Sequence, residues 1–120
     1  MKEFISSQHL RFGYALKGFC SAFKSDRNFR LQVYAAPFYL IFGWFVWPLT
    51  QTEILFLALS YSLIIVTELQ NTSFEKALDR LHPKLHDDIG ASKDIAAAAV
   101  LTSGLFAFIV VAVIAISRFA

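Results

Sequence analysis

Three carboxylates follow a long apolar run in the middle of the chain. Residues 54 to 67 carry no charge, and Glu68, Glu75 and Asp79 come after them. A helix turns by about 100° per residue, so these side chains lie on one face, with Thr72 about 40° from Glu68. Because ionisable groups at membrane depth are costly and usually functional, this face is a candidate active site.

The types of residue on this face indicate a particular chemistry. Carboxylates suit Mg²⁺, which proteins bind through one or two carboxylates together with substrate phosphates and water. A carboxylate at a membrane interface, above all Glu68, can also take a proton from an alcohol. Magnesium, phosphate and an alcohol together indicate phosphoryl transfer. The sequence contains neither a GxxxxGK[ST] loop nor a protein-kinase signature, which excludes the standard nucleotide-binding folds.

Simpler interpretations of the same charges remain open. Glu75 and Asp79 could be solvated at a helix end, and Glu68 could be paired with a lysine or arginine. Lys93 could be a residue whose aliphatic stem covers apolar surface while its ammonium group reaches water. Asp94 could be a carboxylate favoured by the dipole at a helix start.

Soft-metal chemistry is disfavoured. The single cysteine, Cys20, excludes an intrachain disulfide and a cysteine-rich metal site. His82 and His86 are four residues apart, but Pro83 separates them and no third soft ligand is near. We therefore expect no zinc site.

The composition indicates a membrane protein. The 120 residues are 57% hydrophobic and 17% charged, which is too apolar for an ordinary small soluble domain. Uncharged runs cover 31–52, 54–67 and 95–117, and a membrane span needs roughly 20 mostly apolar residues. The prediction is an all-α membrane protein, a single domain over residues 1–120, with three transmembrane helices. The predicted spans are about 29–49, 52–80 and 92–118.

An amphipathic helix is predicted before the first span, over about residues 4–27. Apolar residues recur there at helical spacing, at Phe12, Leu16, Phe19 and Phe23. A helix of this kind lies at the membrane surface, where lysines reach phosphate head groups.

The distribution of Lys and Arg predicts the topology. Six of them lie before the first predicted span or at its start, none lies in the first loop, and four lie in or beside the second loop. The excess of positive charge in cytoplasmic loops then puts the N-terminus and the second loop in the cytoplasm. The net charge of +2 is modest, and we expect no nucleic-acid partner.

Three separated blocks resemble one family. They are GYALKG (13–18) with DRNFR (26–30), ELQNTSFEKALDR (68–80), and His86 with GASKDIAAAAV (90–100). Together they resemble the small integral-membrane bacterial lipid kinases, which comprise diacylglycerol kinase and undecaprenol kinase. The resemblance extends from about residue 9 to residue 118.

The resemblance implies an assembly and a reaction. Members are homotrimers with three spans and a surface helix per protomer, in the bacterial cytoplasmic (inner) membrane. Their site lies at the cytoplasmic interface, partly between protomers. There, ATP with Mg²⁺ donates its γ-phosphoryl group to a lipid hydroxyl.

The resemblance also implies roles for individual residues. Glu68 matches the base, and Asn71, Lys93 and Asp94 match the other catalytic positions. Asp26 and Glu75 match the metal-binding carboxylates. The positions assigned to the nucleotide are Tyr14, Lys17, Asp79 and His86.

The sequence departs from the family pattern at a few places. Asp26 stands where the family usually has Glu, and one methylene fewer changes the reach toward a metal. Gln70, Ser73, Phe74 and Ala91 also differ from the common residues. These departures could weaken activity or shift the choice of substrate, but every proposed catalytic group is present.

The motifs favour diacylglycerol as the acceptor, with undecaprenol as the alternative. A third hypothesis is a non-enzymatic oligomeric membrane scaffold or cation-conducting protein, in which the carboxylates line a cation path. The polar face argues against it, because this face is confined to one end of the second predicted span.

Overall fold

The computed structural model describes residues 1–120, apart from the side chain of Lys2, and confirms the all-α prediction. The helices are α1 (Lys2–Ser25), α2 (Arg27–Tyr34), α3 (Ala36–Phe45), α4 (Gln51–Leu81) and α5 (Asp87–Phe119).

The two longest helices, α4 and α5, form the principal packed pair. Both are long and apolar enough to cross a membrane by length and composition, and only 22% of the most apolar window of each is buried within the chain. A core helix of a soluble protein would bury most of that surface. The exposed apolar area therefore needs lipid or another protein surface against it.

A small apolar core joins these two helices at one end. Val46, Leu57, Val110 and Ile114 are buried together there. Toward the other end, Thr67 Oγ1 lies 3.2 Å from Ser103 Oγ, a polar contact between α4 and α5. Small polar residues of this kind let membrane helices approach closely. The pair is thus fixed in register along its length.

The segment predicted as the first span differs from one continuous helix. It is divided into α2 and α3 at Ala35, and Pro37 is in the first turn of α3. Proline lacks the N–H that would bond to the carbonyl four residues earlier, here that of Val33, and its ring crowds that carbonyl. The Tyr61 hydroxyl, from α4, lies 3.0 Å from the Gln32 carbonyl oxygen and 3.4 Å from that of Val33. A side chain of α4 thus supplies a donor at this break, to the Gln32 carbonyl, which also accepts the Ala35 N–H at 3.2 Å, and to the Val33 carbonyl, whose usual donor Pro37 lacks.

A tight corner joins α1 to α2. Asp26 caps the start of α2, and Arg30 Nη1 donates to the Phe23 and Lys24 carbonyls at the end of α1, at 2.9 and 2.8 Å. Phe29 is completely buried and meets the Phe19 ring edge to face, with centroids 5.0 Å apart. The corner is therefore stabilised by capping hydrogen bonds at the end of α1 and the start of α2, and by the packing of Phe29 against Phe19.

The opposite end of the bundle is closed by Arg118, in the last turn of α5. Its guanidinium donates to the carbonyls of Val46 and Pro48, at 3.1 and 2.8 Å, and to the Glu53 carboxylate at 2.8 Å. Thr50 and Glu53 form a reciprocal capping box that begins α4. This cluster ties α5 to the turn between α3 and α4.

Candidate active site

A hydrogen bond between distant parts of the chain organises the site. Thr72, in α4, donates from Oγ1 to Oδ2 of Asp26 at 2.6 Å, which brings the α1–α2 corner against α4. Oδ1 of the same carboxylate accepts the backbone N–H groups of Asn28, at 2.7 Å, and Phe29, at 3.2 Å. One carboxylate thus caps α2 and contacts α4 at the same time.

These contacts favour the ionised form of Asp26. Partial burial raises the pKa of its carboxyl group. The hydrogen bonds from Thr72, Phe29 and Asn28, with the positive charge of Arg30, outweigh the burial, and the pKa is lowered from its ordinary value. Asp26 is therefore an anion in the folded protein at neutral pH.

Glu68 lies one turn from Thr72 and is almost fully enclosed, with 4% of its surface exposed. The carboxylates of Asp26 and Glu75 are close enough to repel its negative charge, and the side chain of Gln32 lies within hydrogen-bonding reach of it. None of the ion pairs among the described residues includes Glu68. This argues against the interpretation of Glu68 as one half of a structural ion pair.

Asn71 is also buried, and it contacts Glu75, which is partly exposed to solvent. Its Nδ2 lies 3.4 Å from Oε1 of Glu75, while its Oδ1 is buried and has no hydrogen-bond partner among the described residues. A buried acceptor without a partner is rare in folded proteins and marks a position where a ligand or water can bind. Asn71 is thus buried next to Glu75, which is partly exposed and lines a cavity.

Below this face lies a polar cavity of about 210 Å³, which we call the carboxylate cleft. Its walls combine both signs of charge. The lining residues are Ser25, Asp26, Arg27, Thr72, Glu75, Lys76 and Asp79.

Two carboxylates of the cleft, Asp26 and Glu75, fit a magnesium ion shared with a substrate phosphate. The described residues hold no group of three His, Cys, Asp or Glu side chains gathered as metal ligands, so a closed cage of protein ligands is not formed. A carboxylate has about four lone-pair sites, and Asp26 uses three, which leaves one. Glu75 accepts a single hydrogen bond. This open pair matches the way Mg²⁺ binds with nucleotide phosphates, through few protein ligands.

Lys93 reaches the same region from α5. Its Nζ donates to Oδ1 of Asp79, and the pair is partly open to solvent, with 34% and 64% of the two side chains exposed. Asp94, the neighbouring residue and a predicted catalytic position, is exposed and forms no ion pair with Lys93 among the described residues. The side chain that orients Lys93 in the structure is therefore that of Asp79.

The predicted nucleotide residues outside α4 make only local contacts in the described part of the chain. Lys17 Nζ lies 5.7 Å from the centroid of the Tyr14 ring, and both residues are exposed on α1. His86 caps α5, its Nδ1 accepting the Asp88 N–H at 3.2 Å. The structure thus brings Asp26, Thr72 and the α4 face together, but does not bring these three residues to the cleft.

Five residues beside the site were not assigned to it from the sequence. Ser25, Arg27 and Lys76 line the cleft, Gln32 lies beside Glu68, and Ser21 accepts a hydrogen bond from Lys76. Arg27 and Lys76 were counted only toward topology. An amide inside an uncharged run, as at Gln32, is the one sequence signal that could have marked a buried polar contact.

A second cavity adjoins the cleft. This apolar groove, of about 640 Å³, runs between α1 and α4. Phe12, Leu16, Phe19 and Leu69 supply much of its apolar wall. Thr72 and Lys76 line both the groove and the cleft, so an apolar tail in the groove would have its head at the carboxylates.

Comparisons with known proteins identify the family. The family model described as prokaryotic diacylglycerol kinase matches residues 13–115. A diacylglycerol kinase of Haemophilus influenzae is 32% identical over 87 residues, 72% of this chain and 73% of the relative. One of Escherichia coli K12 is 27% identical over 107 residues, covering 89% and 87% of the two chains. One of Synechocystis is 33% identical over 100 residues, covering 82% of this chain and 57% of the relative. The chain therefore belongs to the prokaryotic diacylglycerol kinase family, a family of lipid kinases.

Proposed function

We propose that the chain transfers the γ-phosphoryl group of ATP to the hydroxyl of diacylglycerol, giving phosphatidic acid, with Mg²⁺ as cofactor. The observation that carries the proposal is the enclosed carboxylate of Glu68, which has no ion-pair partner among the described residues, beside a cleft with three further carboxylates and an adjoining apolar groove. Family membership supports the same reaction.

Glu68 acts as the general base in this proposal. Its carboxylate accepts the proton of the acceptor hydroxyl, whose oxygen bonds to the γ-phosphorus as the bond to the bridging oxygen of ADP breaks. Burial beside Gln32 and Thr72 restricts its movement. Asn71 lies on the same helix face, and its unpartnered Oδ1 is available to orient the acceptor.

The phosphates and their metal are assigned to the carboxylate cleft. Asp26 and Glu75 would hold Mg²⁺, which supplies charge neutralisation at the phosphoryl oxygens when it is bound. Three hydrogen bonds fix the orientation of the Asp26 carboxylate.

Lys93 is assigned to the transferring phosphoryl group. Its ammonium group, oriented by Asp79, would stabilise negative charge there. Asp94 is retained as a proposed catalytic position, and Tyr14, Lys17, Asp79 and His86 as nucleotide positions, from the family resemblance.

From the family resemblance we propose a homotrimer, in which residues of a neighbouring protomer complete the site. The exposed apolar faces of α4 and α5 leave surface for lipid and for such a neighbour. We propose three spans per protomer, with α2 and α3 together forming the first, in a bacterial inner membrane. The N-terminus and the loop between α4 and α5 would lie in the cytoplasm.

The acceptor is tested by offering two lipids in parallel. The purified protein receives labelled ATP, Mg²⁺ and either diacylglycerol or undecaprenol, and label is followed in the extracted lipid. We expect label in diacylglycerol. Label only in undecaprenol would show that undecaprenol is the acceptor of the same phosphoryl transfer, because an apolar groove fits either chain.

Glu68→Gln is the matched control for the base, since it keeps the shape and removes the charge. We expect its turnover to fall by about 10²–10⁴-fold, with an unchanged oligomeric state. Normal turnover in this variant would reject Glu68 as the base. Ion flux in liposomes, with no lipid labelled, would favour the cation-conducting alternative.

A further inference from the structure

Lys76 occupies the junction between the apolar groove and the carboxylate cleft. It and Thr72 line both cavities. Its Nζ lies 3.3 Å from Ser21 Oγ, so a side chain of α1 directs the ammonium group of an α4 residue toward this junction. The position is therefore built by two helices that are far apart in sequence.

The charge of Lys76 is not neutralised by a carboxylate. Of the cleft carboxylates, Asp79 is paired with Lys93, and Asp26 is held by Thr72 and two backbone N–H groups. The third, Glu75, accepts a hydrogen bond from Asn71 Nδ2 at 3.4 Å. The ion pairs among the described residues do not include Lys76. Its contact with Ser21 uses one of the three donors of an ammonium group, which leaves two for a ligand.

We infer that Lys76, positioned by Ser21, binds the phosphomonoester of the lipid product at the mouth of the groove. This inference rests on the proposed function. A diacylglycerol acceptor is neutral, whereas phosphatidic acid carries a phosphomonoester with a charge between −1 and −2. A lysine at the point where the apolar tail meets the head group attracts the anionic product and not the neutral acceptor. It therefore sets how strongly phosphatidic acid is retained.

Direct binding of the product provides a test that does not depend on kinase activity. Protein in neutral detergent is mixed with phosphatidic acid, phosphatidylglycerol or diacylglycerol, without ATP, and retained lipid is measured by native mass spectrometry. We expect Lys76→Met, which keeps an unbranched apolar side chain, to weaken retention of phosphatidic acid about five- to tenfold. Diacylglycerol retention is expected to be unchanged.

Three variants separate charge from shape and position. Lys76→Arg should retain the product like the unmodified protein, and Ser21→Ala should weaken retention about two- to threefold by releasing the lysine. Lys84→Met removes an exposed lysine from the loop between α4 and α5 and should change nothing. An equal loss in Lys84→Met would assign the effect to net charge and overturn the inference.

The comparison of lipids identifies the source of the phosphate. Phosphatidylglycerol carries a phosphodiester with one charge, so its retention should change less than that of phosphatidic acid. Equal losses for the two lipids would overturn the assignment to product and leave a general anionic-lipid site. Unchanged retention of phosphatidic acid in Lys76→Met would overturn the site itself. Either result can be obtained whether or not the protein labels diacylglycerol.

Discussion

Thr72 Oγ1 donates to Asp26 Oδ2 at 2.6 Å, across 46 positions of sequence. The contact joins the corner between α1 and α2 to the middle of α4. It orients Asp26 over the cleft and closes one side of the space around Glu68, so the site depends on how the N-terminal segment docks as well as on α4.

Thr72→Val is expected to destabilise the protein by about 1–3 kcal/mol, because it removes a hydrogen bond to a charged group without changing the shape. Thermal unfolding in detergent measures the loss. Thr102→Val is the control, since the Thr102 hydroxyl bonds only to the Ala98 carbonyl in its own helix among the described residues. Equal effects of the two changes would contradict a special role for the Thr72–Asp26 contact.

The stability of the protein should depend on pH through Asp26. Its folded pKa is lower than its ordinary value of 3.8. Its contribution is therefore fully present above the unfolded pKa, and it is lost as the pH falls through the folded pKa. Asp26→Asn keeps a good helix cap but removes the titration.

The measurement compares melting temperatures of the two proteins from pH 7 down to pH 3. We expect Asp26→Asn to be less stable at pH 7 and the difference to narrow below about pH 4, where unfolded aspartate begins to bind protons. A difference that stays constant over this range would show that the charge of Asp26 does not stabilise the fold.

Tyr61→Phe is expected to loosen the break between α2 and α3. The change keeps the ring and removes the donor to the Gln32 and Val33 carbonyls, with a loss of about 0.5–1.5 kcal/mol, because the Gln32 carbonyl still accepts the Ala35 N–H. Unfolding in detergent measures it, with Tyr34→Phe, at an exposed ring, as control.

Pro37→Ala tests the explanation for that loss, because alanine restores the backbone donor that proline lacks. In the Tyr61→Phe background we expect it to recover part of the stability. If Pro37→Ala gave no recovery, the missing donor would not be the reason for the role of Tyr61.

Lys93→Met is expected to lower kcat by about 100-fold or more while changing stability little. Its ion pair with Asp79 is partly exposed, and pairs of this kind are screened by water and salt. Stabilisation of a transferring phosphoryl group is, in contrast, a large effect on rate. Asp79→Asn is the companion variant, because it breaks the same pair and leaves the lysine charge in place.

Turnover and melting temperature are measured for both variants. A loss of activity that is the same in Lys93→Met and Asp79→Asn would contradict a separate role for the ammonium charge of Lys93. A much larger loss in Lys93→Met would assign it to the ammonium group itself.

The sequence by itself determined the helical class and the polar face of α4. Uncharged runs of about twenty residues leave few alternatives to helices, because an apolar environment requires every backbone polar group to be bonded within the chain. Helical periodicity likewise fixed Glu68, Thr72 and Glu75 on one face, since these positions follow from 100° per residue. Both features follow from hydrophobicity and helical periodicity within one segment of the chain.

Only the tertiary structure decided which residues meet that face. The contacts of Asp26 with Thr72, of Lys76 with Ser21 and of Lys93 with Asp79 depend on how helices dock and in what register. The division of the first predicted span depends on Pro37 together with a donor, Tyr61, from another helix. Each of these contacts is set by packing between segments distant in sequence, and the periodicity of one segment contains no information about its partner.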